Sequence, residues 1–291
     1  ALRTTTFRRY EEYVRLHVVP HIGRVRLSRL TPQHIQELYS RKLDEGLSPT
    51  TVHHLYAVLH RALHQALKLG LVARNVTEAV EPPRPVRSEH LALTPGQARE
   101  LLAAARSDRL EGLYVLALTS GMRQGELLAL RWPDVDLDGG KARVRSTLLR
   151  DGTLGEPKTS KGRRQITLLA VTIEALRRHR LRQYGDRLSV GPAWTDRDLV
   201  FTNAVGNFLD ANNLRHRAFP ALLKRAGVPR IRFHDLRHST ASLLMSIDVH
   251  PKVVQELLGH SQIAITMDTY SHLMPNLQRE AMEGLDRLLA R

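Results

Sequence analysis

The order of apolar and polar positions divides the chain into a helical first part and a mixed remainder. Along SPTTVHHLYAVLHRALHQALKLG (48–70), Val52, Leu55, Tyr56, Leu59, Ala62, Leu63 and Leu67 recur at helical spacing. Ser48 stands as N-cap of this helix and Pro49 in its first turn. Upstream, TPQHIQELYSRKLDEG (31–46) opens on a threonine cap and closes on Gly46. TTTFRRYEEYVRLHVV (4–19) reads as a helix stopped by Pro20 and Gly23. No strand pattern occurs before residue 80, which predicts a small helical bundle.

Beyond it the periodicity changes. TPGQARELLAAA (94–105) and LEGLYVLALTSG (110–121) predict helices. KARVRSTLL and RRQITLL alternate and carry β-branched residues, so they predict short strands on either side of the turn-rich RDGTLGEPKTSKG. TIEALRRHRLRQYG returns to helix, and DLVFTN (198–203) reads as another short strand. From residue 211 the pattern is helical again, through ANNLRHRAFPALLKRAG, HDLRHSTASLLMSI, HPKVVQELLGH and LQREAMEGLDRLLA. The predicted class is mainly α with a small antiparallel β-sheet. Four prolines in EPPRPVRSEHLALTP (81–95) favour an extended linker. The expected organisation is a helical domain over 1–84, a linker over 85–94 and a larger mixed α+β domain over 95–291.

Charge sharpens this division. The chain of 291 residues has a formal net charge of +15, an excess that attracts polyanions, nucleic acid above all. Residues 1–87 carry 14 Lys and Arg against 7 Asp and Glu, and the remaining 204 residues carry 30 against 22. Net positive charge per residue, +7 over 87 against +8 over 204, is therefore about twice as dense in the small domain, as expected of a part that holds DNA. Cysteine is absent, which excludes disulfides and thiolate metal sites. No signal-peptide pattern or bilayer-length apolar run occurs, so no membrane role is expected.

The chemistry concentrates in RFHDLRHSTA (232–241). His234 and His238 are four residues apart, but Asp235 stands where a zinc-protease helix needs Glu, and a metal there would lie beside the Arg237 cation. His60 and His64 have the same spacing with no carboxylate to complete a site, and they are expected to face solvent or DNA. A phosphate reading fits better. His234 and Arg237, three apart, can emerge on one helical face, and arginine offers a planar fork to phosphate oxygens. TSGMRQGELLALRW supplies a second cation, Arg123, with Glu126 placed to orient it. LLGHSQIAITMDTYSH adds His260 just past the helix-ending Gly259, and Tyr270 in a polar run. No phosphate-binding glycine loop, dinucleotide motif or esterase serine motif occurs.

Taken together, TSGMRQGELLALRWPDVDL, EPKTSKGRRQITL, HDLRHSTASLL and LGHSQIAITMDTYSH resemble, in order, the four boxes of the tyrosine site-specific recombinase family of phage-integrase type. The first part, with GLSPTTVHHLYAVLHRAL and GLVARNV, resembles that family's core-binding domain. The resemblance implies a helical core-type DNA-binding domain and a catalytic domain that ends in an exchange helix, for which LQREAMEGLDRLLAR is the amphipathic candidate. It implies that Arg123 and Arg237 clamp the scissile phosphate, that His234 and His260 complete the pocket, that Lys158 protonates the leaving 5′ oxygen, and that Tyr270 attacks phosphorus. Glu126, Asp235 and His238 are expected as supporting residues, and Arg232, Lys161, Arg163 and Arg164 as DNA contacts. The implied enzyme integrates or excises a phage or mobile element through a 3′-phosphotyrosyl intermediate and a Holliday junction. It is expected to use neither metal, other cofactor nor ATP. Implied partners are double-stranded DNA attachment sites, a homotetramer on that DNA and an accessory directionality factor, in the bacterial cytoplasm at the nucleoid. Two departures stand out: Asp248 occupies a position where the family often has glycine, and the chain begins at or just before the core-binding domain, where many integrases add an arm-binding domain. A DNA-binding regulator that keeps the fold without the reaction, and a type IB topoisomerase, are the competing readings.

Overall fold

The structure, a computed structural model, describes residues 4–85, 91–156 and 162–259 and parts of 262–289. The chain divides into two compact units, Ala1–Glu89 and His90–Arg291.

In the first unit, α1 (Thr4–Tyr13), a π-helical turn (Val14–Val18) and α2 (Val19–Ile22) follow one another without a break. Pro20, expected to stop this helix, does not. The preceding turn widens so that the Val19 N–H donates to the Val14 carbonyl, and the proline enters where its missing N–H and its ring are tolerated. Helix α3 (Pro32–Asp44) begins at Thr31, whose hydroxyl accepts from the His34 N–H while the His34 ring accepts from the Thr31 N–H. Helix α4 (Pro49–Lys68) begins at Ser48, which accepts from the Thr51 N–H. Its buried stripe is Val52, Leu55, Val58, Leu59, Leu63 and Ala66; Ala62, expected inside, is exposed. This face packs against Val18, Ile35, Leu38, Tyr39, Val76 and Val80. His60 serves the fold, since its Nδ1 lies 2.9 Å from the Thr77 hydroxyl and 3.3 Å from the Asn75 amide, tying α4 to the 3-10 turn Val76–Ala79.

The second unit is built around α6 (Glu111–Ser120), which is buried on nearly every side. Helix α5 (Pro95–Ala105), capped by Thr94, packs on one side of it. The short α7 (Gln124–Leu128) follows α6 across the left-handed Gly121. A three-stranded antiparallel sheet has the order β1-β2-β5, from β1 (Val135–Asp136), β2 (Lys141–Val144) and β5 (Arg164–Thr167). Ala142 pairs with Ile166 and Val144 with Arg164, so Ala142, Val144 and Ile166 share the inner face. Between β2 and β5 lies a hairpin of β3 (Thr147–Leu148), at the end of the expected strand KARVRSTLL, and β4 (Leu154–Gly155), within the stretch expected as turns.

Helix α8 (Ala170–Val190) covers α6, and its Arg178 and Arg182 pair with the buried Glu111 at 2.6 and 3.1 Å. The segment DLVFTN, expected as a strand, makes only isolated bridges. Side chains of α8 take the place of a strand partner: His179 Nε2 lies 2.6 Å from the Val200 carbonyl, and Gln183 donates to the Leu199 and Val200 carbonyls at 3.0 and 3.1 Å. Helix α9 (Ala211–Asn213), a second π turn (Leu214–Ala218) and α10 (Phe219–Ala226) repeat the device of α1 and α2, with Pro220 two residues beyond the wide turn. Helices α11 (Asp235–Met245) and α12 (Pro251–Leu258) complete the described fold. Between them Asp248 has φ +58°, so the family's glycine position is left-handed here and is held by aspartate. No helix among the described residues is long and apolar enough to cross a membrane.

A candidate phosphate-binding active site

Arg123 stands at the N-cap of α7, directly after the reversal at Gly121 and the buried Met122. The Glu126 carboxylate, one turn on, accepts from the Arg123 backbone N–H at 3.0 Å and from its Nη1 at 2.8 Å. Arg123 Nη2 reaches the Gly259 carbonyl at 3.3 Å. Its side chain nevertheless stays 39% exposed, so a cation held by two side-chain contacts still faces outward. The end of α12 is a natural partner, because helix C-termini carry unsatisfied carbonyls and partial negative charge.

Arg237 reaches the same place from α11. Its side chain is buried, and Nη1 donates to the Gly121 carbonyl at 2.7 Å. Thr240, one turn later, donates to the Leu118 carbonyl at 2.8 Å and further ties α11 to the end of α6. The close approach requires glycine at 121: φ is +60°, and a Cβ there would lie 2.5 Å from Leu258 Cδ2.

His234 immediately precedes α11 and is exposed along one edge, with its ring 5.4 Å from that of His238. Partial removal from water and then the Arg237 charge hold its pKa below the ordinary value, with Arg232 and Arg123 adding to the effect against Asp235. The ring is therefore neutral at pH 7 and open to a proton. Asp235 is buried at the first position of α11, where it accepts from the Arg232 backbone N–H at 2.7 Å and from Arg232 Nη2 at 2.8 Å. Burial alone would raise its carboxyl, but the hydrogen bonds from Arg232 hold it below its ordinary value. The pair clips the turn that presents His234.

Of the expected DNA contacts, Arg232 lies outward while engaged with Asp235, and Arg163 is exposed and paired with Glu156. Arg164 differs from expectation. Its side chain is 7% exposed and turned inward, where it donates to Glu126 Oε2 at 3.0 Å and to the Leu257 carbonyl at 2.7 Å. Burial pushes the Glu126 carboxyl up, but Arg164 and then Arg123 outweigh it, so the group is held below its ordinary value. The signal for Arg164 was present in the strand: Arg164, Ile166 and Leu168 share parity, so an inward Ile166 brings Arg164 inward with it. Lys158, Lys161, His260, Tyr270 and the C-terminal helix LQREAMEGLDRLLAR lie outside the described residues or only partly within them. The described part of the site brings together Arg123, Arg237, His234, Glu126, Asp235 and His238.

Two guanidinium groups and a neutral imidazole form a site suited to a phosphodiester. The chain is similar to known proteins over most of its length. Residues 92–276 match the family described as "Phage integrase family", and residues 1–43 match "Phage integrase, N-terminal SAM-like domain". A "Tyrosine recombinase XerC-like" protein of Caldanaerobacter subterraneus subsp. tengcongensis is 30% identical, over 98% of this chain and 78% of its own. Among solved structures, the Tn1549 transposon integrase in complex with transposon right end DNA shares the fold, with TM-score 0.83 at 22% identity over 98% of this chain and 95% of that one. A lambda integrase tetramer bound to a Holliday junction shares it at TM-score 0.66 and 19% identity, over 90% of this chain and 73% of that one.

Proposed function

The chain belongs to the phage integrase family of tyrosine recombinases, and from that premise we propose how its own residues cut and rejoin DNA. The observation that carries the reading is the Arg237 hydrogen bond to the Gly121 carbonyl, which ties that cation to the turn two residues before Arg123. Both guanidinium groups bind the non-bridging oxygens of the scissile phosphate and stabilise the charge that grows there at the transition state. The Tyr270 phenol oxygen attacks phosphorus, the bond to the 5′ oxygen breaks, and Lys158 gives that oxygen its proton. His234, neutral at pH 7, and His260 handle the phenol proton and hydrogen-bond the phosphoryl oxygens. The phosphodiester is conserved as a 3′-phosphotyrosyl bond, so a 5′-hydroxyl from a second duplex reverses the step without ATP.

The partners are double-stranded attachment sites of a phage or mobile element, in the bacterial cytoplasm at the nucleoid. By analogy with the lambda enzyme, four protomers assemble on a Holliday junction, exchange their C-terminal segments and answer to an accessory directionality factor. A test is to incubate the full chain in EDTA with a pool of duplexes that contain nicks and to sequence the DNA that becomes covalently attached. One recurring sequence that the enzyme also joins to a second duplex is expected. Relaxation of any supercoiled plasmid with no recurring sequence would instead identify a type IB topoisomerase, and binding without attachment a regulator.

A further inference from the structure

Arg164 connects segments that are far apart in sequence. Besides Glu126 Oε2 and the Leu257 carbonyl, its Nη1 donates to the Gly162 carbonyl at 3.3 Å. Glu126 belongs to the box of Arg123, Leu257 lies in the last turn of the helix that precedes His260, and Gly162 follows the stretch that contains Lys158. A planar guanidinium can serve three acceptors in fixed directions, which an ammonium on a flexible stem cannot do with the same precision.

We propose that Arg164 is a positioning residue for strand cleavage, acting through Glu126 and the end of α12 to set the Arg123 guanidinium against the scissile phosphate. Two of the three Arg123 side-chain and main-chain anchors belong to Glu126, and the third is the Gly259 carbonyl. Arg164 secures both supports: it shares the Glu126 carboxylate and holds the Leu257 carbonyl two residues before Gly259. Without it, Glu126, 2% exposed, would face one described cation instead of two. Glu126 would then lose a cation that keeps it ionised, and with its charge the firm acceptor that orients the Arg123 guanidinium.

Among the described residues, few charged groups face Glu126. Arg123 comes from its own helix and Arg164 from β5. Strand β3, packed against α7, brings uncharged Thr147 and Leu148. The only charged residue of α6 is Glu111, engaged at the opposite end with Arg178 and Arg182. On α12, Glu256 is turned out toward Lys252. Loss of Arg164 therefore makes Glu126 easier to protonate, and cleavage acquires a dependence on pH beyond that of the native chain.

This inference rests on the recombinase reading and is tested with the full chain on the nicked duplex recovered with native enzyme. The measurements are the single-turnover rate of covalent attachment and the duplex affinity, across pH, for Arg164→Met, Arg164→Lys and the double variant Glu126→Gln/Arg164→Met. Arg164→Met is expected to cleave about 100-fold more slowly at unchanged affinity, the cost of a small displacement of a reacting group. Its rate relative to the native chain should rise with pH, and Glu126→Gln should add little further loss and remove that relative rise. Arg164→Lys, which keeps charge and loses the fork, should show the same split between rate and affinity if Arg164→Met does not fold. A native rate in these folded variants, an affinity that falls as far as the rate, or additive losses in the double variant would overturn the inference. Failure of the native chain to attach through Tyr270 would instead overturn the underlying reading.

Discussion

Arg237 donates from Nη1 to the main-chain carbonyl of Gly121 across 2.7 Å, so the buried guanidinium of α11 and the loop that carries Arg123 are held as one piece. A carbonyl acceptor in this place leaves the side-chain carboxylates of the site to other cations. It also fixes the orientation of a planar fork before substrate arrives.

Arg237→Lys should not be a conservative change. A lysine keeps the charge but cannot hold the Gly121 carbonyl and two phosphate oxygens in one plane. Single-turnover attachment to nicked DNA is expected to slow by about 100-fold, the cost of a lost transition-state donor. Rates within a factor of a few of native would show that charge alone suffices.

Gly121→Ala tests the same contact from the other side. The left-handed φ of +60° and the overlap with Leu258 Cδ2 predict a stability loss of about 2 kcal/mol, read by urea unfolding. The same variant should attach to DNA more slowly, because its strained carbonyl is the Arg237 acceptor. An unchanged midpoint and unchanged rate would contradict the tight approach of α12 to this turn.

These contacts mark how far the residues alone could be read. Helix starts at Ser48, Thr31 and Thr94 were legible because a hydroxyl before an apolar period satisfies local N–H groups. His234 and Arg237 were legible as candidates because they lie in a short stretch of concentrated charge, whereas Arg123 and Glu126 stood out through the resemblance of their segment to a family box. The π turns before Pro20 and Pro220 were not, since a single widened turn leaves almost no trace in apolar spacing. DLVFTN reads as a strand because its apolar content is that of a buried segment, and nothing local announces that His179 and Gln183 take its carbonyls. Arg164 reads as an outward contact when its charge is weighed before its strand parity.

His234 should titrate below its ordinary value of 6.5, because partial burial and the Arg237 charge oppose its protonated form. The sign is that of a depressed histidine: neutral at pH 7 and charged only on acidification below 6.5. NMR of ring-labelled histidine measures this directly. Removing the cation in Arg237→Ala should move the midpoint upward, and a midpoint above 6.5 in the native chain would contradict the described electrostatics.

Asp248→Gly should stabilise the second unit. Aspartate at φ +58° bears a left-handed strain that glycine lacks, while glycine adds entropy to the unfolded chain. The balance is a gain of about 0.5 kcal/mol by urea unfolding, with no change in DNA cleavage. A loss of stability would mean that the Asp248 side chain contributes more than its backbone strain costs.

The most direct measurement is the identity of the atom joined to DNA. Native chain and Tyr270→Phe are incubated in EDTA with the nicked duplex, the covalent product is digested with protease, and mass spectrometry locates the nucleotide-bearing peptide. The expected result is a 3′-phosphate on Tyr270, formed without divalent metal, and no adduct from Tyr270→Phe. An adduct on another residue, one retained in Tyr270→Phe, or one that forms only when metal is restored would contradict the proposed chemistry.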